Sequence, residues 1–124
     1  LGQWTFNVEP KTVSDERYKN TINDFSEPYE SFFDLLRPRT YKYNYGTSGR
    51  AHLGFIAQEV AQSAEMSGLD LNDVAVVCRP EDENGNWTIR YGEFVSLNTW
   101  QIQKLKARVA ELEKKIALLD GKQQ

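Results

Sequence analysis

Ile102-Gln103-Lys104-Leu105-Lys106-Ala107-Arg108-Val109-Ala110-Glu111-Leu112-Glu113-Lys114-Lys115-Ile116-Ala117-Leu118-Leu119 is the stretch that decides the architecture. Ile102, Leu105, Val109, Leu112, Ile116 and Leu119 recur at alternating steps of three and four, the spacing of a coiled-coil seam. A helix with so narrow an apolar stripe is stable in water mainly by packing on partner helices, so an oligomer is expected. With Ile102 at heptad position a, the g positions are Gln101, Arg108 and Lys115, and the following e positions are Lys106, Glu113 and Asp120. Parallel partners pair Arg108 with Glu113 and Lys115 with Asp120, whereas antiparallel partners set Arg108 against Lys115. Parallel is favoured, although exposed pairs contribute only ~0.2–1 kcal/mol each. β-Branched residues at a with Leu at d lean towards two strands, a preference that a globular part upstream can override.

Upstream of the seam, composition bounds the class. At 124 residues and 40% hydrophobic, the chain reads as one domain plus the helix, with roughly 90 residues left to build a core. The net charge of −3, with basic residues spread among acids, gives no support to a nucleic-acid partner. No apolar run approaches the ~18 residues that span a bilayer, and polar residues interrupt Leu1 to Glu9, so neither a membrane partner nor a signal peptide is expected. Cys78 stands alone and reads as a small buried hydrophobe. The chain starts without Met, and Trp4, Phe6 and Val8 alternate with Thr5, Asn7 and Glu9, as a strand cut from a longer protein would.

The coarse layout is α+β and helix-rich: a small globular part with short strands and a projecting β-hairpin, followed by the long helix. Ser14-Asp15-Glu16-Arg17-Tyr18-Lys19 offers capping residues and early acids for a short helix. A second helix is predicted from Ser26, with Pro28 in its first turn, through Phe32, Phe33, Leu35 and Leu36 until Pro38 stops it. Tyr41, Tyr43 and Tyr45 alternate with Lys42 and Asn44 as a strand, and Gly46 to Gly49 forms a turn. His52 to Ile56 returns as a strand into a helix from Ala57 to Met66 that Gly68 closes. Val74–Cys78 and Trp87–Tyr91 are β-rich runs joined through Asn84-Gly85, a hairpin signal. The last helix is predicted from Glu93 to about Leu119, roughly 40 Å long.

Chemistry has few candidates. His52 and Cys78 are too few for a metal site, and Gly46-Thr47-Ser48-Gly49 lacks the strand, glycine and Lys context of a phosphate loop, so no metal or cofactor is expected. His52 beside Leu53 and Phe55 reads first as a hydrogen-bonded structural residue. Ser14 and Lys19 have a plain reading, a helix cap and a solvated charge, and a sharper one. A Ser hydroxyl becomes a nucleophile when a neighbouring base takes its proton, and Lys can serve once desolvation or a nearby cation such as Arg17 favours its neutral form. Five positions along an α-helix would point the two side chains apart unless Ser14 lies outside the helix.

Ser14-Asp15-x-Arg17-x-Lys19, Leu36-x-Pro38 with Tyr41 and Tyr43, His52-x-Gly54-Phe55-Ile56-Ala57-Gln58-Glu59-Val60, Tyr91 and the terminal coiled coil occur here in one order. In that order they resemble the C-terminal intramolecular chaperone of phage endosialidases, tailspikes, tail fibres and neck appendages. The resemblance runs from Ser14 to the end, and departs at Ser96 to Gln101, where the family more often has an aliphatic run and Asn98 falls at a d position. It implies a homotrimer, with two identical chains as partners, that helps the upstream fibre polypeptide fold in cis as a triple β-helix and then releases itself by single-turnover autoproteolysis. A Ser-Lys dyad maps onto Ser14 as nucleophile and Lys19 as base, the cleavage site onto Ser14-Asp15, and supporting positions onto Arg17 and His52. The implied setting is the host cytoplasm during virion assembly, with the upstream protein kept in the virion tail and the chaperone not retained.

On that footing the expected division is 1–13 as the end of the upstream fibre and the cleavage substrate, 14–92 as the chaperone domain, 93–120 as the trimerisation helix and 121–124 as a tail. Nucleophile and target share one chain, so holding the groups together replaces a bimolecular encounter. A dyad that assembles only when the upstream strand around Phe6 ends correctly would also time the cut. Leu69 to Tyr91, with Val76, Val77 and Trp87, is the expected contact for unfolded upstream chain, unless these residues simply pack the domain's own core. The alternative function is a non-cleaving trimerisation cap or a receptor-binding fibre tip.

Overall fold

Helical periodicity is honoured almost residue for residue in the computed structural model, which describes residues 11–46 and 49–122. The expected strand around Trp4, Phe6 and Val8 and the centre of the Gly46–Gly49 turn lie outside the described residues. A single 3₁₀ turn at Glu16–Tyr18 precedes helix α1, Glu27–Leu35. Pro28 sits in the first turn of α1, where its missing N–H costs nothing, and Leu36 leaves the helix in extended geometry two residues before Pro38. Strands β1, Arg39–Tyr41, and β2, His52–Gly54, form an antiparallel pair with Tyr41 opposite His52.

Helix α2 spans Ala57–Met66, within the predicted limits. Gly68 takes a left-handed φ of 86°, and the Leu69 N–H reaches back to the Ala64 carbonyl at 2.9 Å, so two otherwise orphaned groups close the helix end. Strands β3, Val77–Cys78, and β4, Thr88–Ile89, pair as a hairpin, and helix α3 runs from Glu93 to Lys122, ~45 Å long. Phe32, Val60, Ala61, Ala64, Val76, Val77, Phe94 and Leu97 form the core, so α1, α2, β3 and the start of α3 all meet in one cluster. Ser63 ties α2 to the end of α1 by donating to the Leu35 carbonyl at 3.1 Å.

Three expectations are corrected. The tyrosine strand begins earlier, at Arg39, and stops at Tyr41, because β2 offers only three residues of pairing before Phe55 and Ile56 lead into α2. Tyr43 therefore does not continue a ladder: its ring meets those of Tyr41 and His52 edge-on at 5.4 and 4.9 Å, and Tyr45 is exposed. The hairpin also projects less than expected, since its apolar residues turn inward. Val76 and Val77 are buried, and Trp87 packs against the core with the Arg79 guanidinium over its ring. That favours core packing over client contact for these residues. Lastly, Cys78 is half-buried rather than fully enclosed.

Helix α3 presents two faces. Phe94, Leu97 and Gln101, at steps of three and four, are buried against the body. Ile102, Leu105, Val109, Leu112, Ile116 and Leu119 are 40–62% exposed in the single chain, so the seam stands bare along a helix otherwise clothed in charge. Within one chain Arg108 and Lys115 both pair with Glu111, at 3.1 and 3.3 Å.

Candidate cleavage site

Residues 11–24 lie entirely on the surface, and Val13, Tyr18 and Ile22 are 71–79% exposed although apolar. The first firm anchor is Phe25, whose ring stacks on Trp100 of α3 at 5.1 Å and meets Tyr29 edge-on. Between anchor and surface segment, Thr21 holds a left-handed φ of 53°, a geometry a β-branched residue adopts only when its surroundings require it. Its hydroxyl donates to the Asn20 side-chain oxygen at 2.8 Å, and its carbonyl accepts from Asn23 at 3.1 Å.

Within the segment, the cap of the 3₁₀ turn is Asp15 rather than Ser14. The Asp15 carboxylate accepts from the Arg17 backbone N–H at 2.9 Å and from the Arg17 guanidinium at 3.2 and 3.0 Å. Those Arg17 side-chain bonds, then the backbone one, hold the Asp15 carboxyl below its ordinary value. Arg17 is thus paired with Asp15. Ser14 precedes the cap and Lys19 follows the turn with extended backbone. With both members outside the helix, the 140° divergence of an α-helix does not apply, and the Lys19 ammonium donates to Ser14 Oγ at 2.6 Å within one chain.

His52 sits elsewhere, on β2. Its ring stacks on Tyr41 at 5.8 Å, and its Nε2 is buried without a hydrogen-bond partner among the described residues, so aromatic packing replaces the expected hydrogen bond. No hydrogen bond among the described residues links it to Ser14 or Lys19.

The motif around His52 has contacts that sequence reasoning did not supply. Tyr91, beside the start of α3, accepts from the Phe55 N–H through its hydroxyl at 3.0 Å. A Cβ on Gly54 would lie 2.5 Å from that hydroxyl oxygen, so glycine is required where β2 passes under Tyr91. The neighbouring Tyr43 and Tyr91 phenols push the Tyr41 phenol above its ordinary value. Arg39 on β1 grips Glu59 on α2 with two bonds at 2.9 and 2.8 Å, and Arg37 lies 3.6 Å from the same carboxylate. The Arg39 bonds, outweighing a desolvation that pushes the other way and joined by the charges of Arg39 and Arg37, hold Glu59 below its ordinary value. Arg39 and Glu59 lie twenty positions apart in sequence, with no spacing rule to join them; the signal available was that Glu59 is the one acidic residue of the His52 to Val60 motif. Among the described residues, no group of three or more His, Cys, Asp or Glu side chains is placed to hold a metal ion.

The model of a family of peptidases described as chaperone of endosialidase matches residues 14–69, from Ser14 to Leu69 just past α2. No curated protein and no solved structure matches the chain significantly. The match covers the Ser14–Lys19 pair, the Arg39–Glu59 clamp and the His52 to Val60 motif, and it brings an intramolecular chaperone role with a peptidase name. Over residues 14–69 the chain is thus similar to the chaperone-of-endosialidase type of domain.

Proposed function

We propose that this chain is a self-cleaving intramolecular chaperone that assembles as a parallel homotrimer through the α3 seam, assists the folding of an upstream fibre, and cuts itself free between Ser14 and Asp15. The observation that carries the reading is the 2.6 Å contact between Lys19 Nζ and Ser14 Oγ at the first residues of the family match. As the ammonium, Lys19 donates; after losing a proton the same nitrogen can accept from the hydroxyl and generate the nucleophile. The Asp15–Arg17 fork supports the site by fixing the residue on the leaving side of the scissile bond.

Trimerisation rests on the bare seam. Six apolar side chains over five helical turns gain ~1.5–3 kcal/mol each on full burial, enough to hold copies together where exposed ion pairs are not. Parallel alignment brings the three Ser14 segments to one end, next to the fibre strands that precede them.

Masses of the chain joined to its upstream fibre decide the matter. Wild type is expected as two fragments parted after Ser14, with Ser14→Ala and Lys19→Ala intact. An uncut wild type would leave the non-cleaving cap or receptor-binding tip as the better reading.

A further inference from the structure

Resting on that cleavage reading, we infer that each Ser14–Lys19 pair cuts the Ser14-Asp15 bond of a neighbouring copy, not its own. The pair itself is complete within one chain, since Lys19 and Ser14 meet without help from a partner. The bond it must attack is the difficulty. Ser14 Oγ is joined to its own carbonyl carbon through Cβ and Cα alone, so attack there closes a four-membered lactone. Ring angles are then forced far below their ordinary values, where strain rises roughly quadratically. The short tether also keeps Oγ off the oblique line along which a nucleophile approaches a carbonyl. The same carbonyl on another copy carries no such restraint.

Exposure makes the meeting possible. Every residue from Lys11 to Asp24 is on the surface of the single chain, with Val13, Tyr18 and Ile22 unburied, so among the described residues nothing walls off the pair or the scissile bond. The bare α3 seam supplies the neighbours. In a cyclic assembly the contact runs head to tail, each copy attacking one neighbour and being attacked by the other.

The step balances. Neutral Lys19 Nζ takes the Ser14 proton as Oγ bonds to the neighbour's Ser14 carbonyl carbon; the C–N bond to the neighbour's Asp15 breaks, and the leaving nitrogen takes the proton from Lys19. An ester now joins Ser14 Oγ to the neighbour's Ser14 carbonyl. Water adds to that ester, giving a proton to Lys19, and Oγ departs with it as the hydroxyl.

The test uses mixed assemblies of the full chain, wild type with one tag and Ser14→Ala with another, isolated through both tags. Cross-cutting predicts that the bond preceding Asp15 in the Ser14→Ala copies is cut in a fraction that rises in proportion to the share of wild-type chains; Lys19→Ala copies, which keep the natural scissile bond, should behave alike. Variant copies left intact at every ratio beside cut wild type would overturn this inference while sparing the cleavage reading. A cut between Val13 and Ser14 would overturn it as well, marking a five-membered attack on the chain's own preceding carbonyl. Uncut wild type would sink both.

Discussion

Gly54 shows how a single residue is set by a contact distant in sequence. The Tyr91 hydroxyl occupies the place of its missing Cβ, while bonding the next residue's N–H. Gly54→Ala is therefore expected to destabilise the domain by ~1–3 kcal/mol through overpacking, read as a lowered urea midpoint. Tyr91→Phe in the same chain should recover part of that loss, because the clashing oxygen goes. Equal midpoints for the single and double variants would show that the clash is relieved some other way. Ser14 and Lys19 were legible as residues because their types and spacing admit a dyad. Their juxtaposition was not, since it depends on Asp15 taking the cap and shortening the turn to three residues.

Elements differ in how they are held. Helices α1 and α2 were legible from their apolar spacing, from Pro28 and Pro38 and from Gly68, because those signals act within a few residues. The strands were misjudged in length, since pairing depends on how much partner strand is present, and β2 supplies three residues. The start of α3 is fixed by a junction with no local signature: the Glu30 carboxylate on α1 accepts from the buried Gln101 amide at 2.9 Å and also from Lys104. Lys104, then Gln101, hold the Glu30 carboxyl below its ordinary value. Removing the acceptor by Glu30→Ala leaves the Gln101 amide buried without its partner, an omission that costs about 1–3 kcal/mol. Lys104→Ala removes only a half-exposed charge and should shift the midpoint far less. If the two variants lose equal stability, the junction is not held through Gln101.

For the molecule as a whole, helix α3 turns one face to the body and leaves the other bare, the face that the proposed trimer would bury. Leu105→Asp lies on the seam and away from Phe94 and Leu97, so it should weaken association by at least ~10-fold in sedimentation while leaving the near-ultraviolet signal of the aromatic core intact. Loss of that signal would mean the seam also supports the body. Acid acts on the body instead. Glu30 and Glu59 have folded-state pKa values below the ordinary 4.5, so their contribution is complete above that value and vanishes as pH falls through the lower, folded one. Thermal midpoints should hold steady near neutrality and decline below about 4.5. Glu59→Gln should flatten part of that decline, and a profile as steep as wild type would remove the Arg39–Glu59 clamp from the account.

The sequence by itself determined helices α1 to α3, the heptad stripe and the residue types of the candidate Ser14–Lys19 pair, because periodicity, proline and glycine punctuation and side-chain chemistry are properties of neighbouring positions. Only the tertiary structure decided that Val76 and Val77 face the core, that Arg17 belongs to Asp15, and that Gly54, Glu59 and Gln101 each answer to a partner on another element. Such contacts depend on which surfaces packing brings together, and no spacing along the chain encodes them.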